Sequence, residues 1–193
     1  RQGLNISIPR EHGYDVVRAI QAMRDGVVDV FFCMGGNFIS ATPDTMATAE
    51  GLRKVGLTVQ VSTKLNRSHL VTGKKALILP CLGRTELDVQ VTGPQFVSVE
   101  NSMGIVHKST GSLPPASSHL KSEPWIVAQL SKHLFTNSPI DWEGIVEDYD
   151  LIRDLMEQSL SGFDDYNERV RHVNGFMLPN PPRDSRSFHT PSG

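Results

Sequence analysis

An α/β fold with a parallel sheet is the class that the first half of this chain predicts. Segments in which apolar residues recur at helical spacing alternate there with short runs of β-branched and aromatic residues. The second half changes to short alternating strands and then to amphipathic segments. We therefore expect a parallel sheet with flanking helices, a short antiparallel excursion and a C-terminal helical segment.

A change of apolar period predicts the first helix and the first strand. Apolar side chains recur at helical spacing in residues 14–24, and Asp25-Gly26 ends that segment. Residues 27–33 are an almost continuous apolar run. A run of this kind is typical of a strand that is covered on both faces, as in a parallel sheet.

One more helix and two more strands follow in the first half. Thr42-Pro43 offers an N-cap and a proline at the first helical position, so we expect a helix that ends before Gly56. Residues 57–61 and 76–79 have the composition of the next two strands.

The second half predicts a hairpin and three helices. Residues 96–100 and 104–107 suggest short antiparallel strands around a turn. Beyond a turn-rich linker, helices are expected at residues 122–135, 148–160 and 164–173.

The predicted elements divide the chain into four consecutive parts. They are an N-terminal extension (1–12), a sheet-bearing core that binds a cofactor (13–110), a helical part that packs on the core (111–176) and an extended tail or linker (177–193).

Composition narrows the class of protein. The net charge is -2 and 38% of the residues are hydrophobic, which favours neither disorder nor a nucleic-acid partner. No stretch reaches the roughly 20 apolar residues of a membrane span, and we interpret the protein as cytoplasmic. The lack of an initiator Met is typical of an excised fragment or a processed product.

The sequence does not indicate a metal site within this segment. Cys33 and Cys81 lie in separate apolar segments and not in a Cys-x-x-Cys motif, so we expect both to be buried packing residues. The seven histidines also lack the spacing of a metal-binding pair. We therefore predict no metal ligand here.

Ligands of open parallel sheets bind beyond the carboxyl ends of the strands, which makes the loops at residues 34–41, 62–73 and 81–88 the candidates. In the first loop, Gly35 and Gly36 allow close backbone approach to a ligand, and N–H groups there can face a phosphate or a purine edge. An ordinary strand-to-helix turn explains two glycines equally well.

The second loop places seven hydrogen-bonding side chains in the eight residues 62–69. A solvated surface loop accounts for this composition about as well as a binding site does. The expected convergence of both loops at one sheet edge favours the binding site, and a nucleotide is the ligand that suits it.

Several motifs resemble, in the same order, one block of the molybdopterin oxidoreductase family, and in particular its formate-dehydrogenase-like alpha subunits. The motifs are residues 30–38 (VFFCMGGNF), the polar loop that follows, 76–80 (ALILP) with Arg84-Thr85-Glu86, 100–104 (ENSMG) and 125–130 (WIVAQL). The resemblance covers roughly residues 13–182.

The resemblance implies a Rossmann-like domain that holds one nucleotide arm of molybdopterin guanine dinucleotide (bis-MGD) with molybdenum. It implies that Gly35, Gly36 and Asn37 line the phosphate and ribose side of the ligand. The implied nucleotide contacts are Ser62, Thr63, Lys64, Asn66, Ser68 and His69. Many family members carry an Asp directly after the second strand to pair with guanine, whereas this chain has Val61-Ser62-Thr63.

The resemblance also implies what lies elsewhere. The molybdenum ligand, any 4Fe-4S cluster and the second cofactor domain fall outside the matched segment, so the chain by itself is expected to be inactive and to have no catalytic residue. Its partners would be the remaining domains of the parent enzyme, with formate as the first substrate to test.

The alternative is a stand-alone Rossmann-like nucleotide-binding or regulatory module without redox activity. The chain has neither Gly-x-Gly-x-x-Gly nor a P-loop, which argues against a general NAD or ATP binder.

Overall fold

The computed structural model describes residues 11–192, which form two compact units. The unit called here the sheet unit comprises residues 11–83 and Pro115–Ile126. The unit called the hairpin unit comprises Arg84–Pro114 and residues 127–192. The units interleave along the chain, whereas the sequence-based division is consecutive, and its boundaries stay a prediction. Most of the predicted N-terminal extension lies outside the described residues.

The sheet unit is a three-stranded parallel sheet with helices, as the sequence predicts. Its elements are α1 (Val16–Arg24), β1 (Val30–Met34), α2 (Phe38–Ala41), α3 (Thr45–Lys54), β2 (Leu57–Ser62), a 3-10 turn (Arg67–Leu70) and β3 (Lys75–Pro80). The strand order is β1-β2-β3, and both pairings are parallel. The α/β class and its parallel sheet are confirmed.

The start of α3 differs from the prediction that Thr42 caps this helix. Asp44 is the N-cap, and its side chain accepts a hydrogen bond from the backbone N–H of Ala47 at 2.9 Å. Thr42 is buried instead, with its hydroxyl 2.7 Å from that of Thr48. Asp and Thr are both good caps, so local preference did not discriminate between two candidates so close together.

Strand β1 is open on one face, so the prediction that it is covered on both faces is wrong. The ring of Phe31 packs against the buried residues Leu52 and Val55 and lies 4.8 Å from the ring of Phe38. The segment that connects β1 to β2 and the segment that connects β2 to β3 both pack on that side of the sheet. On the opposite side, four apolar side chains are 37–56% exposed; they form what we call the open face and are Val30, Phe32, Met34 and Leu77.

The hairpin unit contains the antiparallel excursion and the C-terminal helices. Its elements are β4 (Val89–Gln90), β5 (Gly93–Pro94), β6 (Val97–Glu100), β7 (Ile105–Ser109), most of α4 (Glu123–Leu134), α5 (Gly144–Glu147), α6 (Tyr149–Ser159), α7 (Tyr166–Arg169), β8 (Phe176–Met177) and α8 (Pro181–Ser185). Strands β6, β7 and β8 form one antiparallel sheet in that order.

Two predictions at the C-terminal end of the chain are wrong in detail. The helix expected at residues 164–173 is limited to Tyr166–Arg169, because the chain then turns so that Phe176 pairs with Val106. The expected extended tail contains β8 and also α8, which Asn180 caps by accepting a hydrogen bond from the N–H of Arg183. Within the described residues, no helix combines the length and apolarity that a bilayer crossing requires.

A buried arginine links separate segments of the hairpin unit by hydrogen bonds. Arg153 is 3% exposed, and it donates to the carbonyl of Phe96 at 3.1 Å and to the side chain of Asn167 at 2.6 Å. Asp150 pairs with Arg153 and, at 2.5 Å, with Arg171. Burial of the Asp150 carboxyl opposes its ionisation, but the hydrogen bonds from the two arginines outweigh that effect and hold the pKa of Asp150 below its ordinary value.

The substitution Asp150→Asn is expected to reduce the pH dependence of the free energy of unfolding in acid. Because the pKa of Asp150 is lower in the folded chain than in the unfolded chain, its carboxylate stabilises the fold above the unfolded-state pKa, and this stabilisation is lost as the pH falls through the folded-state pKa. Asp150→Asn should lower the free energy of unfolding near neutral pH by about 2 kcal/mol and lose less of it in acid than the unsubstituted chain. Urea unfolding from pH 7 to pH 3 measures both effects, with the exposed Asp164→Asn as the control. An unchanged acid dependence would contradict the assignment.

Alanine at Phe31 and at Phe32 tests which face of the sheet is covered. Phe31→Ala is expected to cost about 3 kcal/mol of unfolding free energy, because its ring packs against the helical side. Phe32→Ala should cost only about 1 kcal/mol, because its ring is 37% exposed already. Equal losses in urea unfolding would mean that both faces are covered.

Candidate functional site

The candidate site lies where the three parallel strands end. Met34 is level with Val61, and Ser62 is level with Pro80. The chain leaving β1 stays close to β2, since the N–H of Gly35 donates to the carbonyl of Val61 at 2.8 Å. The chain leaving β3 stays close as well, because the N–H of Cys81 donates to the carbonyl of Ser62 at 3.3 Å. The loops that follow the strands therefore begin at one edge of the sheet.

Two successive glycines turn the chain after β1. Gly35 and Gly36 have φ angles of +67° and +71°, a left-handed conformation that strains other residues. A Cβ added to Gly36 would meet no atom within 4 Å, so the chain leaves open space beside it. The helix α2 begins two residues after Gly36. The sequence predicts a loop at residues 34–41, and the observed loop is shorter because α2 occupies its second half.

Side chains of the second loop join it to the glycine turn. The amide of Asn66 donates to the carbonyl of Gly36 at 2.8 Å, and its oxygen accepts the N–H of Ser68 at 2.9 Å. The buried hydroxyl of Ser68 accepts the N–H of Ile39 at 3.1 Å and donates to the side-chain oxygen of Asn37 at 3.3 Å. These contacts confirm that the two loops converge. The binding roles predicted for their residues stay predictions.

The ring of His69 is buried beside this junction with one nitrogen unsatisfied. Its exposed fraction is 8%, and its Nδ1 accepts the backbone N–H of Asn66 at 3.0 Å. Nδ1 also lies 3.3 Å and 3.2 Å from the backbone and side-chain oxygens of Asn66. In the tautomer in which Nδ1 accepts the N–H, the ring proton is on Nε2. Among the residues that the structure describes, no atom accepts a hydrogen bond from Nε2. A buried donor without a partner is costly, and a bound acceptor would remove that cost.

The other predicted residues of the second loop have looser positions. The hydroxyl of Ser62 donates to the carbonyl of Lys64 at 2.7 Å, a contact within its own loop. Thr63 and Lys64 are exposed at the loop surface. Lys64 and Arg67 add positive charge next to the junction, which suits an anionic ligand.

Two residues near the site were not predicted from the sequence. Gln60 is 2% exposed on β2 and donates to the carbonyl of Ser68 at 3.5 Å, which supports the second loop from below. A carboxylate oxygen of Glu123 lies 3.9 Å from the position that a Cβ on Gly35 would take. Glu123 follows Gly35 by almost ninety residues, and no local pattern in the sequence links them.

The cysteines and the acidic residues do not form a metal site in residues 11–192, where no cluster of three or more potential ligands occurs. Cys81 is buried, as expected of a packing residue, whereas Cys33 is only half-buried, so the prediction is wrong for that residue. The thiol of Cys33 donates to the carbonyl of Gly35 at 3.3 Å. Burial raises the pKa of the Cys33 thiol, which keeps it protonated and weakly reactive.

The chain is similar to part of several longer proteins. It is 57% identical over 189 residues to an uncharacterized oxidoreductase of Mycobacterium tuberculosis (strain ATCC 25618 / H37Rv) and to one of Mycobacterium bovis. It is 46% identical over 185 residues to protein YdeP of Escherichia coli (strain K12). These alignments take in 96–97% of this chain but 24% of each relative, so the chain spans about a quarter of their length. No protein-family model matches the chain.

Removing the side chain of Asn66 should loosen the junction between the loops. Asn66→Ala deletes the donor to Gly36 and the acceptor for Ser68, and we expect a loss of about 1–2 kcal/mol in unfolding free energy. Hydrogen exchange should accelerate at the amides of Ser68 and Ile39 in particular. Asn137→Ala, at an exposed asparagine, is the control. Unchanged exchange at both amides would show that Asn66 does not hold the loops together.

Proposed function

We propose that this chain is the nucleotide-holding part of an oxidoreductase, and that its two joined loops bind the nucleotide arm of bis-MGD. The mycobacterial relatives carry the name oxidoreductase, which supports the coarse class. One observation carries the assignment to these loops: a rigid junction of donors, with an unsatisfied buried Nε2 of His69, lies at the ends of parallel strands.

The donor set of the junction fits the phosphate and ribose portions of such a ligand. The backbone N–H of Gly36, the imidazole N–H of His69 and the side chain of Lys64 can donate hydrogen bonds, and phosphate oxygens accept them. The space beside Gly36 lets a ligand come close to the backbone. Glu123 supplies a carboxylate beside Gly35, and carboxylates accept hydrogen bonds from the edge of guanine.

The contribution of this chain would be binding and orientation. Molybdenum held by the bound pterin would supply two-electron redox chemistry, with formate as the substrate to test first. Asn66 and Ser68 would keep the loops at a fixed separation before the ligand arrives, which lowers the ordering cost of binding. The molybdenum ligand and any 4Fe-4S cluster would come from other parts of the parent enzyme, which are the proposed partners of this chain.

Alanine at Gly36 is the direct test of the proposal. Calorimetric titration of the chain with guanosine diphosphate should show saturable binding, and Gly36→Ala should weaken it about tenfold, a loss of about 1.4 kcal/mol. The matched control is Gly26→Ala, because Gly26 has a φ of +75° and an equally open Cβ position away from the loops. That variant carries the same backbone strain and should bind normally.

Two outcomes of the titration would count against the proposal. Equal weakening in both glycine variants would trace the effect to strain and not to the loops. Binding of NAD or adenosine diphosphate, with none of any guanine nucleotide, would favour a stand-alone nucleotide-binding or regulatory module without a redox role.

A further inference from the structure

The hairpin unit contains a cavity that is separate from the loops just described. Its volume is about 640 Å³, which falls within the range of small-molecule sites. The end of β6 and the strand β7 form one wall through Asn101, His107 and Lys108. The segment after α7 forms the other wall through Arg171, His172 and Asn174.

A glycine brings these two walls together. Gly175 has a φ of +61°, and a Cβ at this position would lie 2.1 Å from the carbonyl oxygen of Val106. Residues with side chains cannot approach β7 so closely, and the next residue, Phe176, pairs with Val106 in the sheet. The segment 171–174 is therefore held beside β7 by the packing of the unit itself.

The cavity wall is rich in hydrogen-bond donors and positive charge. Among the described residues that line it, four are basic and none is acidic. The side-chain oxygen of Asn101 already accepts the N–H groups of Met103 and Ile105 at 2.9 and 3.1 Å, which leaves its NH2 group as the part available to a ligand. Lys108 and His172 are exposed and add donors on opposite walls.

The charge of Arg171 is partly compensated, and its position is fixed. Its guanidinium donates to both carboxylate oxygens of Asp150 at 2.7 and 2.5 Å and lies 5.0 Å from the centre of the Phe96 ring. This anchoring keeps one cationic group in place, and Lys108 adds a second one. Near the cavity, a guanidinium nitrogen of Arg183 and a carboxylate oxygen of Glu100 lie 3.4 Å and 3.8 Å from the position that a Cβ on Gly104 would take.

We propose that this cavity binds a small organic phosphate. Arg171 is engaged by the carboxylate of Asp150, so the charge left for an oxyanion comes from Lys108, and the two histidines on the walls add donors that suit a phosphate group. Ile105 and Val173 add apolar surface to the same cavity, and Val173 is 96% exposed, so the organic part of the ligand would cover it. The site is distinct from the loop junction of the sheet unit and serves a second ligand.

Titration of the full chain with ribose 5-phosphate tests the proposal. Calorimetry should give saturable binding of one equivalent, while ribose without phosphate should not bind. The ring signals of His107 and His172 should shift in the nuclear magnetic resonance spectrum. Binding should survive in Gly36→Ala, which separates this cavity from the proposed nucleotide loops.

A charge-matched pair of variants isolates the cavity. Lys108→Gln with His172→Gln should weaken binding at least tenfold, because the first substitution removes a positive charge and the second removes the imidazole, both at exposed positions. Lys74→Gln with His119→Gln makes the same change at exposed positions of the sheet unit and should leave binding unchanged. Circular dichroism confirms that both variants are folded.

Three results would overturn the proposal. They are no saturable binding of ribose 5-phosphate, equal weakening in the two double variants, and binding of a single-stranded oligonucleotide that exceeds that of the small phosphate. The last result would show a general attraction for polyanions and not a cavity that holds one small ligand.

Discussion

The parallel pairing of β2 with both neighbouring strands is the constraint on which the candidate site depends. Strand β2 (Leu57–Ser62) is buried at its four central residues and is hydrogen-bonded to β1 on one side and to β3 on the other. Its register sets the level at which all three strands end. A slip by one residue would turn the side chains of a strand to the opposite face and move the glycine turn away from Asn66.

The loop junction built on this sheet is held by side-chain hydrogen bonds and contains one buried nitrogen that has no partner among the described residues. Asn66 and Ser68 form hydrogen bonds with backbone and side-chain groups of both loops. Few polar atoms of these loops would therefore be stabilised by further contacts within the chain. The Nε2 of His69 is the exception among the described residues of these loops, because it is buried and donates to no atom there. Buried polar atoms without partners are rare in native proteins. The unsatisfied nitrogen of His69 therefore indicates a binding site at the junction more strongly than the polar composition of the loops does.

Strong apolar periodicity made much of the sheet unit predictable from sequence. The strands at residues 57–61 and 76–79 lie within one residue of the observed bounds, and the convergence of their loops follows from a rule about parallel sheets. The shortened helix before Phe176 was not predictable, because its end is set by pairing with Val106, seventy residues earlier. The bridge from Asn66 to Gly36 and the burial of His69 likewise depend on distant contacts. The ligand that these residues bind stays a prediction.

The open face determines how a preparation of this chain by itself will behave. Val30, Phe32 and Met34 present adjoining apolar surface to water along the edge strand β1. Contiguous patches of this sort drive reversible clustering as concentration rises. Stock solutions should therefore be kept dilute or supplied with a mild detergent, and crystals grown without it should use this surface for lattice packing.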